Sequence, residues 1–182
     1  MNNNGIIWLD TIDSTNSEVR RRLPELDNLS VIAAIEQTAG RGQGDHKWHS
    51  RPGENLTFTL VLKFDSIGVL KARDIHKIND VITASLLAFL GRYGIQARIK
   101  LPNDIYVGDL KICGMLIENI LKEDNVDVSI IGIGLDVNQT EFPADLPNPV
   151  SMAQLAGRTF DVKALLEELR AEIGSRTKDL VL

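Results

Sequence analysis

The residues best suited by type and spacing to bind a ligand or take part in a reaction lie in a glycine-rich segment. This segment covers positions 40–48 and has the sequence Gly-Arg-Gly-Gln-Gly-Asp-His-Lys-Trp. Its glycines allow positive φ angles and let backbone N–H groups come close to a ligand. Such a segment can form a nest of donors around an anion, and Arg41 adds a fixed positive charge. Trp48 offers a flat face for an aromatic ring. The segment therefore suits a phosphate that bears a nucleobase, although an ordinary flexible surface loop can have the same composition.

The common nucleotide-binding motifs do not account for this segment. A Walker A loop ends in Gly-Lys-Ser or Gly-Lys-Thr, and the sequence has no such ending here. A dinucleotide-binding loop has the pattern Gly-x-Gly-x-x-Gly and opens a helix. Here the third glycine comes one residue early, and Pro52 and Gly53 interrupt the residues that follow. By itself, the segment does not distinguish a ligand-binding loop from a surface loop.

A second segment whose residues could bind a ligand or take part in a reaction covers residues 100–119. Pro102 cannot donate a hydrogen bond to a sheet, so Asn103 and Asp104 are predicted to lie in a turn. Lys111 then opens an apolar strand. A lysine at this position, close to a turn aspartate, has two interpretations. It forms a surface ion pair of small energy, or it points into a site where the carboxylate holds Mg²⁺ or the lysine itself.

Hydroxyl and carboxamide side chains form a third group of candidates. Ser14 and Thr15 lie at a predicted helix start, where Asp13, Ser14 or Thr15 could each be the N-cap and Thr15 with Glu18 three residues later fits a capping box. The same hydroxyls and the free N–H groups could instead bind a polar ligand, but the sequence alone favours capping. Gln37 ends a predicted strand, and a carboxamide there can pair with the amide or urea of a ligand.

Apolar patterning predicts the elements that must position these groups. We expect strands at residues 5–9, 31–37, 56–64, 97–101, 111–119 and 126–137, with one more after the proline turn. We expect helices that cover residues 15–23, 72–93, 151–155 and 162–173. Gly132 and Gly134 lie inside the last strand, which indicates close approach by a ligand or another backbone. The segment with Pro143, Pro147 and Pro149 is predicted to be irregular surface.

Composition limits the class of protein. The chain has 182 residues, about the length of one domain, and its apolar fraction of 43% is ordinary for a globular protein. A net charge of −5 argues against a general nucleic-acid binder. Cys113 is the only cysteine, so no internal disulfide can form. Because the sequence has neither a signal-peptide pattern nor a membrane-spanning apolar run, we predict a cytoplasmic protein.

Taken together and in order, these segments resemble the catalytic domain of the biotin protein ligase family. The resembling motifs span most of the chain and comprise residues 13–16 (DSTN), 36–43 (EQTAGRGQ), 47–48 (KW), 55–56 (NL), 100–106 (KLPNDIY), 111–118 (KICGMLIE), 132–135 (GIGL) and 138–139 (NQ). The resemblance implies an α/β (α+β) fold, in which helices flank a mixed β-sheet as in class II aminoacyl-tRNA synthetases and lipoate ligases. It also implies an ATP-dependent ligase with two half-reactions. Biotin is first activated to biotinyl-5′-AMP and then transferred to a lysine of a biotin carboxyl carrier protein.

The resemblance implies roles for individual residues. The implied catalytic residues are Lys111, Arg41 and Asp104, of which the two cations neutralise charge at the reacting carboxylate and phosphate. The implied biotin-binding residues are Ser14, Thr15, Asn16, Gln37, Gly40, Arg41, Gly42, Gln43, Lys111, Gly114 and Gly132. The implied nucleotide-binding residues are Arg41, Gln43, Trp48, Asn103, Asp104, Lys111 and Asp136. Trp48 is expected to carry the adenine, and Gly114 and Gly132 are expected to leave room for the biotin chain.

Several positions depart from the family pattern. Gln43 stands where many relatives have arginine, and Leu101 stands where many have tryptophan, which would remove an aromatic wall from the site. Asp136 stands where asparagine is usual, and a carboxylate beside phosphates would repel ATP unless Mg²⁺ bridges them. We expect a single catalytic domain over residues 1–182, with neither the N-terminal helix-turn-helix nor the C-terminal β-barrel of some relatives.

The resemblance also fixes the expected ligands and partners. Mg-ATP and biotin are expected as substrates, without a tightly bound cofactor, and Mg²⁺ is expected near Asp104 only together with ATP. The expected partner is a biotin carboxyl carrier protein domain, DNA and membranes are not expected, and a homodimer through a sheet edge is left open. Two alternatives are a lipoate- or octanoate-ligase relative and a non-catalytic domain that binds biotin or biotinyl-AMP. Gln37 with the Ser14–Thr15 pair favours a urea-bearing ligand over a plain acyl chain.

Overall fold

The computed structural model of the chain describes residues 5–181. Its seven strands are β1 (Ile6–Ile12), β2 (Val31–Gln37), β3 (Leu56–Lys63), β4 (Arg98–Lys100), β5 (Asp104–Val107), β6 (Leu110–Lys122) and β7 (Asn125–Leu135). Its α-helices are α1 (Thr15–Arg22), α2 (Phe64–Ile67), α3 (His76–Arg92), α4 (Met152–Ala156) and α5 (Val162–Arg176). Short 3₁₀ turns occupy Leu23–Glu25, Ala72–Asp74 and Thr177–Leu180.

The seven strands form one mixed sheet in the order β1-β2-β3-β7-β6-β5-β4. Strands β1 and β2 are parallel, and the other neighbouring pairs are antiparallel. The long antiparallel pairing of β6 with β7 places Gly114 opposite Gly134 and Leu116 opposite Gly132. The mixed sheet with flanking helices confirms the expected fold. Strands β1 and β4 are the outer strands of the sheet. Dimerisation through one of these edges stays a prediction.

The two faces of the sheet bury different helices. Strand residues such as Phe58 and Ile131 belong to the larger apolar cluster, which also contains the buried sides of α3 and α5. Val61 and Ile130 point to the other face of the sheet and pack in a smaller cluster with Val19 of α1. Alternation along the strands therefore assigns α3 and α5 to one face and α1 to the other. Beyond Ile130, the face towards α1 carries glycines instead of apolar side chains.

Most element boundaries agree with the patterning, and the differences have local causes. The predicted helix over residues 72–93 begins as a 3₁₀ turn and becomes α-helical at His76. It ends as expected before Gly94, which adopts a φ of 75°. The strand predicted over residues 56–64 ends at Lys63, and Phe64 turns inward to begin α2. Within residues 5–181, no helix has both the length and the apolar content needed to cross a membrane.

Candidate functional site

One cavity of about 390 Å³ lies on the face of the sheet that also carries α1. Its walls come from the start of α1, the glycine segment, the turn before β5, strands β6 and β7, and the proline-containing segment. Almost all of the predicted site residues line it, namely Ser14, Thr15, Asn16, Gln37, Arg41, Gly42, Gln43, Trp48, Asn103, Asp104, Lys111, Gly114, Gly132 and Asp136. Gly40 is buried beside the cavity, where its carbonyl accepts a hydrogen bond from the Trp48 backbone N–H at 3.0 Å.

The start of α1 forms one end of the cavity, and its hydrogen bonds differ from the predicted capping box. The N-cap residue is Ser14, whose side chain makes no capping bond within the described part of the chain. Instead, Gln37 Oε1 accepts from the Thr15 backbone N–H at 2.8 Å and lies 3.1 Å from the Thr15 hydroxyl. The capping interpretation of Thr15 is therefore wrong, because a carboxamide from β2 satisfies this N–H. With its oxygen held by α1, Gln37 keeps its NH₂ group available to a ligand.

Asn16 connects α1 to the middle of the sheet. Its Oδ1 accepts from the Thr59 hydroxyl at 2.6 Å, and its Nδ2 donates to Glu118 Oε2 at 2.9 Å. The Asn16 side chain fills the space next to Gly132, where even a methyl group would overlap it. Gly132 was expected to leave room for a ligand chain; it lines the cavity, and the side chain nearest to it is that of Asn16. The glycine admits Asn16, which then forms part of the cavity wall.

The glycine segment folds back on itself as a small hairpin. Arg41 bridges to Lys47 in antiparallel fashion, and the Gly42 N–H donates to the His46 carbonyl at 2.8 Å. Gly44 lies at the tip with a φ of 61°, a conformation that glycine adopts without strain. The segment is thus a short hairpin, and its fold places Trp48 and Gln43 in the cavity wall.

The Trp48 indole lies directly on the sheet. It packs over Gly134 and Gly114, where side chains would collide with the ring. The Lys111 ammonium lies 5.8 Å from the centre of the ring, and Trp48 Nε1 is buried without a partner among the described residues. An unpaired buried N–H is unfavourable, so this end of the cavity is suited to a ligand that brings an acceptor.

Lys111 and Asp104 form the charged end of the cavity. The Lys111 Nζ lies 2.8 Å from Asp104 Oδ1, and both side chains are partly exposed to the cavity. Backbone bonds on both sides fix Lys111, since its N–H donates to Asn148 and its carbonyl accepts from Val150. Asn103 Nδ2 donates to the Met115 carbonyl at 2.6 Å, which ties the turn before β5 to β6. The predicted lysine–aspartate pair therefore lies within a site and is not a surface ion pair.

Asp136 is the most perturbed acidic group of the cavity. Its side chain is 4% exposed, and Oδ1 is buried without a hydrogen-bond partner in the described part of the structure. Burial raises the pKa of this carboxyl to about 8, although the positive charge of Lys111 opposes the shift. A raised pKa favours the protonated, uncharged form of Asp136, which would repel phosphates less than a carboxylate.

The sequence analysis missed several residues of the site. Pro147, Pro149 and Leu146 line the cavity, although this segment was expected to be irregular surface. A parallel bridge between Lys111 and Pro149 brings the segment to the cavity. Local sequence patterns do not predict such a long-range contact. Leu101, which stands where many relatives were expected to have tryptophan, is 76% exposed and is not among the lining residues, so its side chain supplies no wall to the cavity.

The arrangement defines a class of site. One end offers hydroxyls and an oriented carboxamide, and the other end offers a lysine, an aspartate and an indole ring. Among residues 5–181, no cluster of three or more His, Cys, Asp or Glu side chains could hold a metal ion. The cavity suits a small polar ligand with an anionic group near Lys111.

Comparison with known proteins identifies the family. A family model described as the biotin/lipoate A/B protein ligase family matches residues 8–138, which is most of the chain. The chain belongs to this family. Its curated relatives include the bifunctional ligase/repressor BirA of Bacillus subtilis, which is 32% identical over 182 residues. The alignment covers 96% of this chain and 54% of that relative.

Two further comparisons agree with this assignment. BirA of Escherichia coli is 31% identical, with 91% of this chain and 52% of the relative covered. A solved structure of biotin protein ligase from Aquifex aeolicus, in complex with biotin and ATP, is 27% identical with a TM-score of 0.75. That similarity covers 96% of this chain and 70% of the Aquifex chain. The chain thus spans about half the length of these two curated relatives.

Proposed function

We propose that this chain catalyses ATP-dependent ligation of biotin to protein. In the first half-reaction, a biotin carboxylate oxygen attacks the α-phosphorus of ATP, pyrophosphate leaves and biotinyl-5′-AMP forms. In the second, the ε-amine of a carrier lysine attacks the acyl carbon, AMP leaves and an amide forms. The proposal is supported by family membership and by the similar Aquifex structure, which is described with biotin and ATP.

The orientation of Gln37 carries the proposal for biotin as the ligand. Its Oε1 is held by the Thr15 N–H and hydroxyl, so its NH₂ group is the part that can face the cavity. Ser14 and Thr15 add hydroxyls that are buried beside it. A ureido ring has one carbonyl acceptor and two N–H donors, which match an amide donor and hydroxyl acceptors. A plain acyl chain would leave the Gln37 NH₂ group and the Ser14 hydroxyl without a partner from the ligand, which is the basis for selectivity.

Charge neutralisation is the main catalytic requirement of both half-reactions. A carboxylate is already ionised at neutral pH, so the first step needs alignment and cationic groups more than a general base. We assign these roles to Lys111, held against Asp104, and to Arg41 in the glycine segment. Mg²⁺ would enter as part of the Mg-ATP substrate and lie near Asp104.

The proposed nucleotide site lies at the same end of the cavity. Trp48 would stack on the adenine, while Gln43, Asn103 and Asp136 would surround the sugar and phosphates. Of these, Asp136 can donate a hydrogen bond to a phosphate oxygen as long as its carboxyl stays protonated. The proposed partner is a biotin carboxyl carrier protein domain, whose lysine would reach the acyl phosphate at this end.

Biotin-dependent exchange between ATP and pyrophosphate tests the proposal on this 182-residue chain. Exchange with biotin and none with lipoate or octanoate is the expected result. Exchange with lipoate or octanoate in place of biotin would instead support the lipoate-ligase alternative. Biotin binding in calorimetry without exchange would contradict activation by this chain and favour a binding domain.

A further inference from the structure

The segment that precedes α4 supplies the backbone partner of Lys111. Pairing between β6 and β7 ends with Cys113 opposite Leu135, so Lys111 lies beyond the last residue pair of these two strands. There the Lys111 N–H donates to the Asn148 carbonyl at 2.8 Å, and the Lys111 carbonyl accepts from the Val150 N–H at 2.9 Å. Two backbone hydrogen bonds from a segment distant in sequence therefore hold the lysine.

Asn148 adopts an unusual backbone conformation between two prolines, Pro147 and Pro149. Its φ is 49°, in the left-handed region that asparagine adopts more readily than most other residues with a side chain. The direction of a carbonyl depends on the backbone angles of its own residue. A change of Asn148 out of the left-handed region would therefore turn its carbonyl away from Lys111.

The flanking prolines fit this arrangement. Pro149 is the residue that forms the parallel bridge with Lys111, but both hydrogen bonds of the bridge come from its neighbours, Asn148 and Val150. The missing N–H of Pro149 therefore costs the bridge no hydrogen bond. With φ fixed at both prolines, Asn148 is the residue of this short stretch whose φ determines where the carbonyl points.

Asn148 acts on the cavity only through its backbone. Within the described part of the chain, Lys111, Pro147 and Pro149 line the cavity, whereas Asn148 is not among the lining residues. We propose that Asn148 is a positioning residue, whose left-handed backbone holds its carbonyl on Lys111 and so fixes the lysine beside Asp104. The consequence for catalysis rests on the proposed function, while the backbone contact itself does not.

A fixed backbone matters for the placement of the Lys111 ammonium group. Lysine carries its charge on a flexible stem, so the charge is well placed only when both the backbone and the ion-pair partner are held. Pairing of Asp104 with Gly114 holds the partner, and the Lys111 Nζ lies 2.8 Å from Asp104 Oδ1. Asn148 supplies the corresponding constraint on the lysine. A displacement of about 1 Å in a catalytic site can cost about 100-fold in rate.

Exchange of backbone amide hydrogens, followed by NMR on the whole chain, tests the contact. Asn148→Val places a β-branched residue at a positive φ, which is strongly disfavoured. We expect the Lys111 amide to exchange about tenfold faster than in the parent chain, because its acceptor is displaced. The conservative variant Asn148→Gly accepts this φ without strain and should keep the exchange rate within about twofold of the parent.

Glu123 provides a matched control for backbone strain. It has a φ of 54° and lies exposed in the turn between β6 and β7. Glu123→Val should lower Tm by a similar amount, roughly 2–8 °C, but should leave exchange of the Lys111 amide within about twofold of the parent chain. Equal acceleration in Glu123→Val, or none in Asn148→Val, would overturn the proposal. If Asn148→Val does not fold, Asn148→Ala takes its place in the comparison because its strain is smaller.

Biotin-dependent pyrophosphate exchange tests the catalytic consequence. Asn148→Val should lower the rate at saturating biotin and ATP about tenfold, because Lys111 is less well aligned. The KM for biotin should stay within about twofold, since Gln37 and α1 form the other end of the cavity. Asn148→Gly should restore the parent rate, which a role of the asparagine side chain would not allow.

A double variant shows whether Asn148 acts through the lysine. In a Lys111→Ala background, Asn148→Val should cause no further loss of rate, because the group that it positions is already absent. A further loss of about tenfold in that background would overturn the positioning role. Absence of exchange in the parent chain would refute the proposed function, while the amide comparison still decides whether Asn148 holds Lys111.

Discussion

At the residue scale, Lys111 is the group on which the proposed chemistry depends most. It is the cation of the charged end, and Asp104 and two backbone hydrogen bonds fix its position. We expect Lys111→Ala to lower the rate of pyrophosphate exchange by about 10²–10³-fold, as when one preorganised electrostatic donor is removed. The control is Lys163→Ala, which removes a lysine of α5 that lies over the Trp8 ring of β1. This variant should leave the rate unchanged. A Lys111 variant with full activity would contradict the assigned role.

Asp136 provides a second residue-scale prediction, which concerns pH and stability. Its folded pKa of about 8 lies above the ordinary aspartate value of 3.8, so the unfolded chain loses the proton first. The free energy of unfolding should therefore fall as pH rises from about 4 to about 8, by at most about 1.4 kcal/mol per pH unit from this group. Asp136→Asn removes this contribution, and its stability relative to the parent should increase over the same pH range.

Urea unfolding at pH 4.5, 6.0 and 7.5 would measure this effect. Asp109→Asn is the control, since Asp109 is 98% exposed at a hairpin tip and its substitution should leave the pH dependence of the parent intact. If Asp136→Asn and the parent lose stability in parallel between pH 4.5 and 7.5, then Asp136 is ionised in the folded protein.

At the element scale, β7 and the glycine segment depend on each other through Gly134 and Trp48. A methyl group at Gly134 would overlap the indole ring, so Gly134→Ala should displace Trp48 from the sheet. In a Trp8→Phe background, Trp48 is the only tryptophan. We expect its fluorescence to shift to longer wavelength and its quenching by acrylamide to increase.

A glycine in α3 serves as the control for this substitution. Gly91 has open space around the position of an added Cβ, and Ala is favoured over Gly in a helix by about 1 kcal/mol. Gly91→Ala should therefore leave Trp48 fluorescence unchanged and stabilise the fold slightly. An unshifted spectrum in Gly134→Ala would show that the segment can adapt without moving the ring.

At the scale of the whole molecule, the cavity is a junction between elements that are distant in sequence. Its walls combine residues from 14 to 149. At 100 times its dissociation constant, biotin should add about 2.7 kcal/mol to the free energy of unfolding. For a chain of this length, the expected rise in Tm is roughly 5–10 °C.

Thermal unfolding with and without biotin checks this expectation. Octanoate at the same concentration should have little effect, and Gln37→Ala should lose most of the shift because the carboxamide contact is gone. A similar rise in Tm with octanoate would show that the cavity binds an acyl chain and does not require the ureido ring.

Much of the local structure followed from the sequence. The strand from Val31 to Gln37 has the predicted bounds, and α5 begins at the predicted residue 162. Local patterning works here because alternation and helical spacing depend on neighbouring residues alone. The family motifs also located most of the cavity lining, since Lys111, Trp48 and the DSTN residues carry their chemistry in their side chains.

The tertiary structure decided what those side chains contact. Whether Thr15 caps α1 by itself or receives the carboxamide of Gln37 depends on a parallel pairing of β1 with β2. Whether Gly132 makes room for a ligand or for Asn16 depends on how α1 lies across β7. The raised pKa of Asp136 depends on its burial, and the hydrogen bond between Asn16 and Glu118 joins residues 102 positions apart in the sequence. The sequence by itself determines the residue types and the local spacing of apolar residues in each strand and helix. The pairing of distant segments determines how deeply each side chain is buried, which charges lie near it and which way it points.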